Sequence, residues 1–225
     1  MTWIKICGMT NLEDALAAVD AGADAVGFVF YEKSPRNITV EAARAITEGL
    51  PERVEKVGVF VDAECSRIHE IVASVGLTAV QLHGKLSLES VCEDARSPLE
   101  CTGASKLITV ITGDALHNGG ILISERLRSR TFALLVDSTA NGSSGGTGIT
   151  FDWQAVRGMV QALSLRMPVV VAGGLTPQNV GEAIRTFQPF GVDVVSGVEA
   201  KPGKKDLEKV RTFIREVRDL DRKTT

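Results

Sequence analysis

Short β-branched or apolar runs alternate with amphipathic stretches eight times along the 225 residues, and few architectures accommodate that rhythm. The apolar runs fall at 3–7, 25–30, 56–61, 79–82, 106–111, 132–136, 169–172 and 192–195. Helical periodicity lies between and after them, near 12–20, 40–48, 65–74, 86–95, 115–127, 153–163, 177–186 and 205–218. Strands that all feed crossover helices must run parallel. Eight such units match a single-domain (β/α)8 TIM barrel with a closed parallel eight-stranded sheet, spanning residues 1–225. A doubly wound open sheet is the competitor, but it expects a G-x-G-x-x-G turn after its first strand, and that turn here is Cys7-Gly8-Met9-Thr10.

Composition narrows the classes of function. Hydrophobic residues make up 44% of the chain, enough for one large core, and no Pro/Ser/Gly-rich linker divides it. Net charge is −3 and the 25 basic residues are scattered, which excludes a dedicated nucleic-acid surface. Apolar runs stop far short of the roughly 20 residues that span a bilayer, and the first residues lack the form of a signal peptide, so a cytoplasmic protein without membrane partners is expected. Cys7, Cys65, Cys92 and Cys101 show no metal-ligand spacing and read as free thiols.

A barrel carries its chemistry at the carboxyl ends of its strands. The polar residues placed there are Cys7, Asp62, Gln81, His83, Asp137 and Asp193, joined by Ser34 and Arg36 in the loop after the second strand. Thr10-x-x-Glu13 reads as a capping box that opens a helix beside Cys7, where free backbone N–H groups would favour ionisation of the thiol near neutral pH. Strand alternation puts Cys7 and Lys5 on one face. If that face is the interior, Lys5 needs a carboxylate, and Asp193 on the closing strand is the expected partner. Glycines at Gly173-Gly174 and in Ser196-Gly197 follow the seventh and eighth strands, where barrels commonly clamp a phosphate. Other glycines at 142, 145, 146 and 148 suit a lid or a plain connector.

Each of these residues also has a plainer structural reading. Cys7 can be a small buried hydrophobe, Asp137 a turn cap, His83 a turn residue and Arg36 a solvated cation.

Taken together the motifs resemble one family. KICGMT (5–10), GADAVGFVF with SPRNIT (22–39), VGVFVD (57–62), VQLHG (80–84), LLVDS with GGTG and FDW (134–153), VVAGGLTPQNV (170–180) and VDVVSGVE with GKKD (192–206) occur in order, and the chain is similar to phosphoribosylanthranilate isomerases of tryptophan biosynthesis. The resemblance implies a barrel and an Amadori rearrangement of N-(5-phosphoribosyl)anthranilate to the 1-deoxyribulose 5-phosphate, with no cofactor and no metal.

The same resemblance makes Cys7 the general base at C2 of the ribose and Asp137 the general acid at the ring oxygen, protonated in the substrate complex. It gives Arg36 the anthranilate carboxylate, Asp193 the sugar hydroxyls, and Gly173, Gly174, Ser196 and Gly197 the phosphate. His83 falls in a family motif without a chemical step. Ile149 stands where the family often has lysine, and segment 84–130 carries little of the pattern. The expected partner is a small phosphosugar, and the protein is expected to be a monomer or homodimer.

Three other functions remain open: another phosphosugar barrel, a dual-specificity isomerase that also accepts the histidine-pathway aminoaldose, and a non-catalytic binding barrel. The first generally needs a strand-end lysine or paired carboxylates, and the second an aspartate where Cys7 stands. Retention of both proton-transfer residues counts against the third.

Overall fold

The computed structural model describes residues 1–84, 103–112, 125–137 and 153–224. Eight parallel strands close on themselves in sequence order. They are β1 (Trp3–Cys7), β2 (Ala25–Phe30), β3 (Glu55–Val61), β4 (Ala79–His83), β5 (Lys106–Thr112), β6 (Ala133–Asp137), β7 (Val169–Ala172) and β8 (Gly191–Val194). All eight strands expected from the sequence are present, with ends displaced by at most a residue. The described helices are α1 (Leu12–Ala21), α2 (Val40–Glu48), α3 (Cys65–Val75), α4 (Glu125–Arg130), α5 (Trp153–Ser164), α6 (Val180–Phe187) and α7 (Leu207–Thr224).

Period-two alternation divides the apolar residues between two layers. Ala25, Val57, Ala79, Ile108, Ala133, Leu135, Val170 and Ala172 pack together inside the barrel, with Trp3 and Phe132 against them. The alternate set, including Ile4, Ile6, Val26, Phe28, Val80, Leu107, Leu134 and Val192, packs with helix residues such as Ala15, Ala18, Phe187 and Phe213. A smaller cluster of Cys7, Val29 and Val59, joined by Tyr31 and Val195, lies at the carboxyl ends of the strands.

Chain ends reinforce the closing seam. Arg218 on α7 donates to the Thr2 carbonyl at 2.6 Å and to Asp24 at 2.7 Å, while the Asp221 carboxylate accepts from the Thr2 backbone and hydroxyl. The last helix therefore grips the start of β1 and the turn into β2.

Local caps follow the sequence in part. Thr39 accepts from the Ala42 N–H and starts α2 as expected. The Thr10 capping box does not form. Asn11 caps α1 by accepting from the Asp14 N–H, and the Thr10 hydroxyl instead donates to the Gly203 carbonyl of a distant hairpin. Residues 176–179 were expected to open the seventh helix, yet they form a turn tied by Asn179 to the Thr176 N–H, and α6 begins at Val180. The last helix starts at Leu207 because the preceding residues pair as β9 (Glu199–Lys201) and β10 (Lys204–Lys205). The expected helix at 86–95, most of that at 115–127, the glycines from 142 to 148, Ile149, Cys92 and Cys101 lie outside the described residues.

Lys5 is fully buried and sits opposite Asp193 in the β1–β8 register, its Nζ 2.9 Å from the Asp193 carboxylate. Removing one member of such a pair strands a charge in an apolar interior. Asp193→Ala should lower unfolding free energy by about 3–5 kcal/mol in urea titration, whereas the paired replacement Lys5→Met/Asp193→Leu should recover most of it. A loss under about 1 kcal/mol in the single variant would mean that the pair is not what holds Lys5 inside.

Candidate active site

The mouth of the barrel is assembled around Cys7. Because Lys5 points inward, Cys7 two residues on does so as well, and its sulfur lies over β2. A methyl group at Gly27 would come within 2.5 Å of the Cys7 sulfur and 3.1 Å of Lys5 Cε, so the glycine is what gives the sulfur room. The N–H groups of Gly8 and Met9 both donate to the Gly27 carbonyl, at 3.0 and 2.9 Å. They are thus unavailable to the sulfur, and α1 begins only at Leu12, with Asn11 as its cap, five residues beyond Cys7.

This changes the expected ionisation of the thiol. Burial pushes the Cys7 thiol above its ordinary value, and the Lys5 ammonium opposes that shift without overcoming it. The expectation of a thiol ionised near neutral pH does not hold for the free protein. What stands beside the sulfur is a cation: burial disfavours the Lys5 ammonium, but Asp193 and Cys7 together hold its pKa above the ordinary value.

Asp137 ends β6, almost completely buried, and shares the inward face with Leu135 and Ala133. Cys7 and Asp137 therefore both face the barrel interior at the carboxyl ends of their strands, β1 and β6. His83 ends β4 on the same face as Gln81, with Nε2 2.8 Å from the Gln81 amide nitrogen. Burial and the nearby Lys5 charge push its pKa down to about 4, so the imidazole is neutral at physiological pH. Asp193 Oδ2 takes the Lys5 ammonium, while Oδ1 is buried with no hydrogen-bond partner among the described residues. That oxygen is an acceptor waiting for a donor.

Arg36 is not the solvated cation that its loop position allows. It is buried, and its guanidinium meets Glu199 along one edge, with Nε–Oε1 3.0 Å and Nη2–Oε2 2.8 Å. Its stem crosses above Gly8, where an added methyl group would lie 3.2 Å from Arg36 Cδ and 3.4 Å from Val195. The Arg36 stem thus lies over the turn that follows Cys7.

The loops after β7 and β8 converge. Gly173 and Gly174 both take the left-handed conformation, at φ +87° and +63°. Asn179 accepts from the Thr176 N–H and donates to the Gly174 carbonyl, which shapes that loop from behind. A methyl group at Gly197 would sit 1.8 Å from the Leu175 carbonyl oxygen, so the two loops touch through backbone. Ser196 and Gly197 open a single 3-10 turn (Ser196–Val198), whose first N–H groups have no partner within it.

Three residues gained no role from the sequence. Glu199 and Lys205 lie in motifs noted there, but a contact between a strand-eight hairpin and a strand-two loop leaves no period to detect. Asn179 looked like part of a helix. Among the described residues no three His, Cys, Asp or Glu side chains gather as metal ligands, and no helix is long and apolar enough to cross a membrane.

Comparison with known proteins agrees with this geometry. Residues 4–216 match the family described as N-(5'phosphoribosyl)anthranilate (PRA) isomerase. An N-(5'-phosphoribosyl)anthranilate isomerase of Pelobacter propionicus is 42% identical over 226 residues, covering 100% of both chains. The crystal structure of phosphoribosyl anthranilate isomerase from Thermotoga maritima superposes with a TM-score of 0.77 at 40% identity, covering 97% of this chain and 100% of that one. A further crystal structure of such an isomerase, in complex with reduced 1-(o-carboxyphenylamino)-1-deoxyribulose 5-phosphate, gives 0.74 at 39% identity with the same coverage. Near-complete coverage at this identity, on a closed barrel of eight parallel strands, leads to one conclusion: the chain belongs to the phosphoribosylanthranilate isomerase family.

Proposed function

We propose that Cys7 and Asp137 are the general base and general acid of the family's reaction, which turns N-(5'-phosphoribosyl)anthranilate into 1-(o-carboxyphenylamino)-1-deoxyribulose 5-phosphate in tryptophan biosynthesis. The observation that carries this reading is the shared inward face: a thiol beside the Lys5–Asp193 pair and a buried aspartate both face the barrel interior at the carboxyl ends of their strands.

The reaction moves protons and breaks one ring bond. Asp137 gives its proton to the furanose oxygen as the C1–O bond breaks, and the anilinic nitrogen supplies the electrons to form an iminium at C1. Cys7 as thiolate then removes the proton from C2, and the electrons of that bond flow through C1 to nitrogen, giving an enolamine. Tautomerisation moves a hydrogen to C1 and leaves a carbonyl at C2. Electrons balance within the substrate, so no redox cofactor takes part.

Lys5 supports the middle step. A thiolate formed in an apolar mouth is costly unless a cation is positioned beside it, and Lys5, paired with Asp193, is that cation; the Cys7 charge in turn helps Lys5 keep its proton. Arg36 takes the anthranilate carboxylate, Asp193 Oδ1 accepts a sugar hydroxyl, and backbone N–H groups at Gly173, Gly174, Ser196 and Gly197 hold the phosphate. The Gly173 and Gly174 conformations and the close approach at Gly197 support that last assignment.

Expression in a tryptophan-requiring bacterial strain that lacks the isomerase tests the assignment. The chain should restore growth, and Cys7→Ala and Asp137→Asn should each lower kcat by about 10² to 10⁴ in the purified protein. Either variant turning over at the parent rate would remove that residue from the mechanism.

The pH profile should follow the thiol. A base whose protonated form is stabilised by burial gains activity as pH rises, so log kcat/KM should climb above neutrality with a slope approaching one. Steady-state assays from about pH 6 to 9 check this, and a flat profile across that range would rule out a raised thiol as the base.

Gly197→Ala must push the strand-seven and strand-eight loops apart. KM should rise at least about tenfold, because ligand N–H groups misplaced by an ångström bind a phosphate poorly.

A further inference from the structure

We propose that Glu199 is a positioning residue for substrate recognition, holding Arg36 by one edge so that the remaining fork of its guanidinium is presented to the substrate's aromatic carboxylate. The inference rests on the reading of Arg36 given above and extends it to a residue without an assigned role.

A guanidinium is planar and offers its N–H groups in two forks. Glu199 occupies the fork made by Nε and Nη2, with contacts of 3.0, 3.2 and 2.8 Å. Among the described residues Nη1 makes no hydrogen bond, so a second carboxylate can bind in two-point fashion only along the Nη1–Nη2 end. Both partners are buried, at 9% and 4% side-chain exposure, which fixes the plane of the fork more firmly than a surface pair could.

Glu199 is itself held from behind. Lys205 Nζ donates to Glu199 Oε1 at 3.2 Å and to the Val195 carbonyl at 3.2 Å, and the Gly203 N–H donates to the same carboxylate oxygen. The hairpin that carries these groups is anchored on α1, where the buried Asp14 carboxylate accepts from the Lys205 N–H at 2.8 Å and from Lys204 Nζ at 2.6 Å. Burial opposes ionisation of Glu199, but hydrogen bonds from Arg36 and the charge of Lys205 hold its carboxyl below the usual range. It therefore stays an acceptor throughout the working pH range.

If Glu199 merely neutralised a buried cation, its loss would affect stability without altering which substrates are preferred. A positioning role makes a different demand, read with two substrates: N-(5'-phosphoribosyl)anthranilate and its aniline counterpart, which lacks the ring carboxylate. In Glu199→Gln, KM for the anthranilate substrate should rise about tenfold or more with kcat within about twofold, while KM for the aniline counterpart stays put. Preference for the carboxylate then collapses. Glu199→Asp, which keeps the charge but shortens the reach, should lose only part of that preference. It is also the variant to use if Glu199→Gln does not fold.

Arg36→Ala separates this inference from the reading beneath it. That variant should abolish the preference, and adding Glu199→Gln to it should do no further harm to KM. Arg36→Ala losing the preference while both Glu199 variants keep it would overturn the positioning role alone. Arg36→Ala keeping the preference would overturn the reading of Arg36, and the positioning role with it.

Discussion

The pairing of Lys5 with Asp193 governs the geometry of this barrel. A lysine with no exposure has one tolerable environment, a carboxylate within hydrogen-bond reach, and here that carboxylate comes from the neighbouring strand across the seam where the sheet closes. The pair acts on register. Strand side chains alternate with a period of two, so slipping β1 by one residue against β8 would turn Lys5 and Cys7 together into the helix layer. One ion pair therefore selects both the closure of the sheet and the direction in which the thiol points. It also sets a cation beside that thiol, which couples a structural requirement to a chemical one.

Charge around the mouth is uneven in a way that suits an anionic substrate. Lys5, Arg36 and Lys205 are interleaved with the carboxylates of Asp193 and Glu199, leaving one positive charge uncompensated within that set. The ions form two strings. Lys5 and Asp193 lie inside the barrel under Cys7, while Lys205, Glu199 and Arg36 run outward along the hairpin after β8. The inner string faces the sulfur and the outer one ends at the free side of a guanidinium. The two strings keep the cation under the thiol apart from the cation that ends the hairpin network.

Much of the fold is legible because its signals are local and periodic. Eight apolar runs spaced by amphipathic stretches leave little choice beyond a closed barrel, and the inward phase of β1 follows from Lys5 needing a partner. Local signals fail where a distant contact competes. Thr10 has the composition of a helix cap, but its hydroxyl is engaged by Gly203 nearly two hundred residues later, and Asn11 takes the cap instead. Thr176-Pro177 has the form of a helix start, yet Asn179 closes a turn over those residues to shape the loop after β7. The ionisation of Cys7 departs from its local reading for a related reason: burial outweighs the neighbouring cation, and that burial is set by the strands around it, which the sequence of β1 does not reveal.

Glycine placement is where packing and chemistry meet. Gly27 has no side chain because the Cys7 sulfur occupies that space, and Gly197 has none because the Leu175 carbonyl does. The first gap lets the sulfur lie against β2. The second lets two loops share one backbone surface. Both are close approaches that a single methyl group would forbid. The site is therefore defined as much by where atoms are missing as by the thiol, carboxyl and guanidinium that line it.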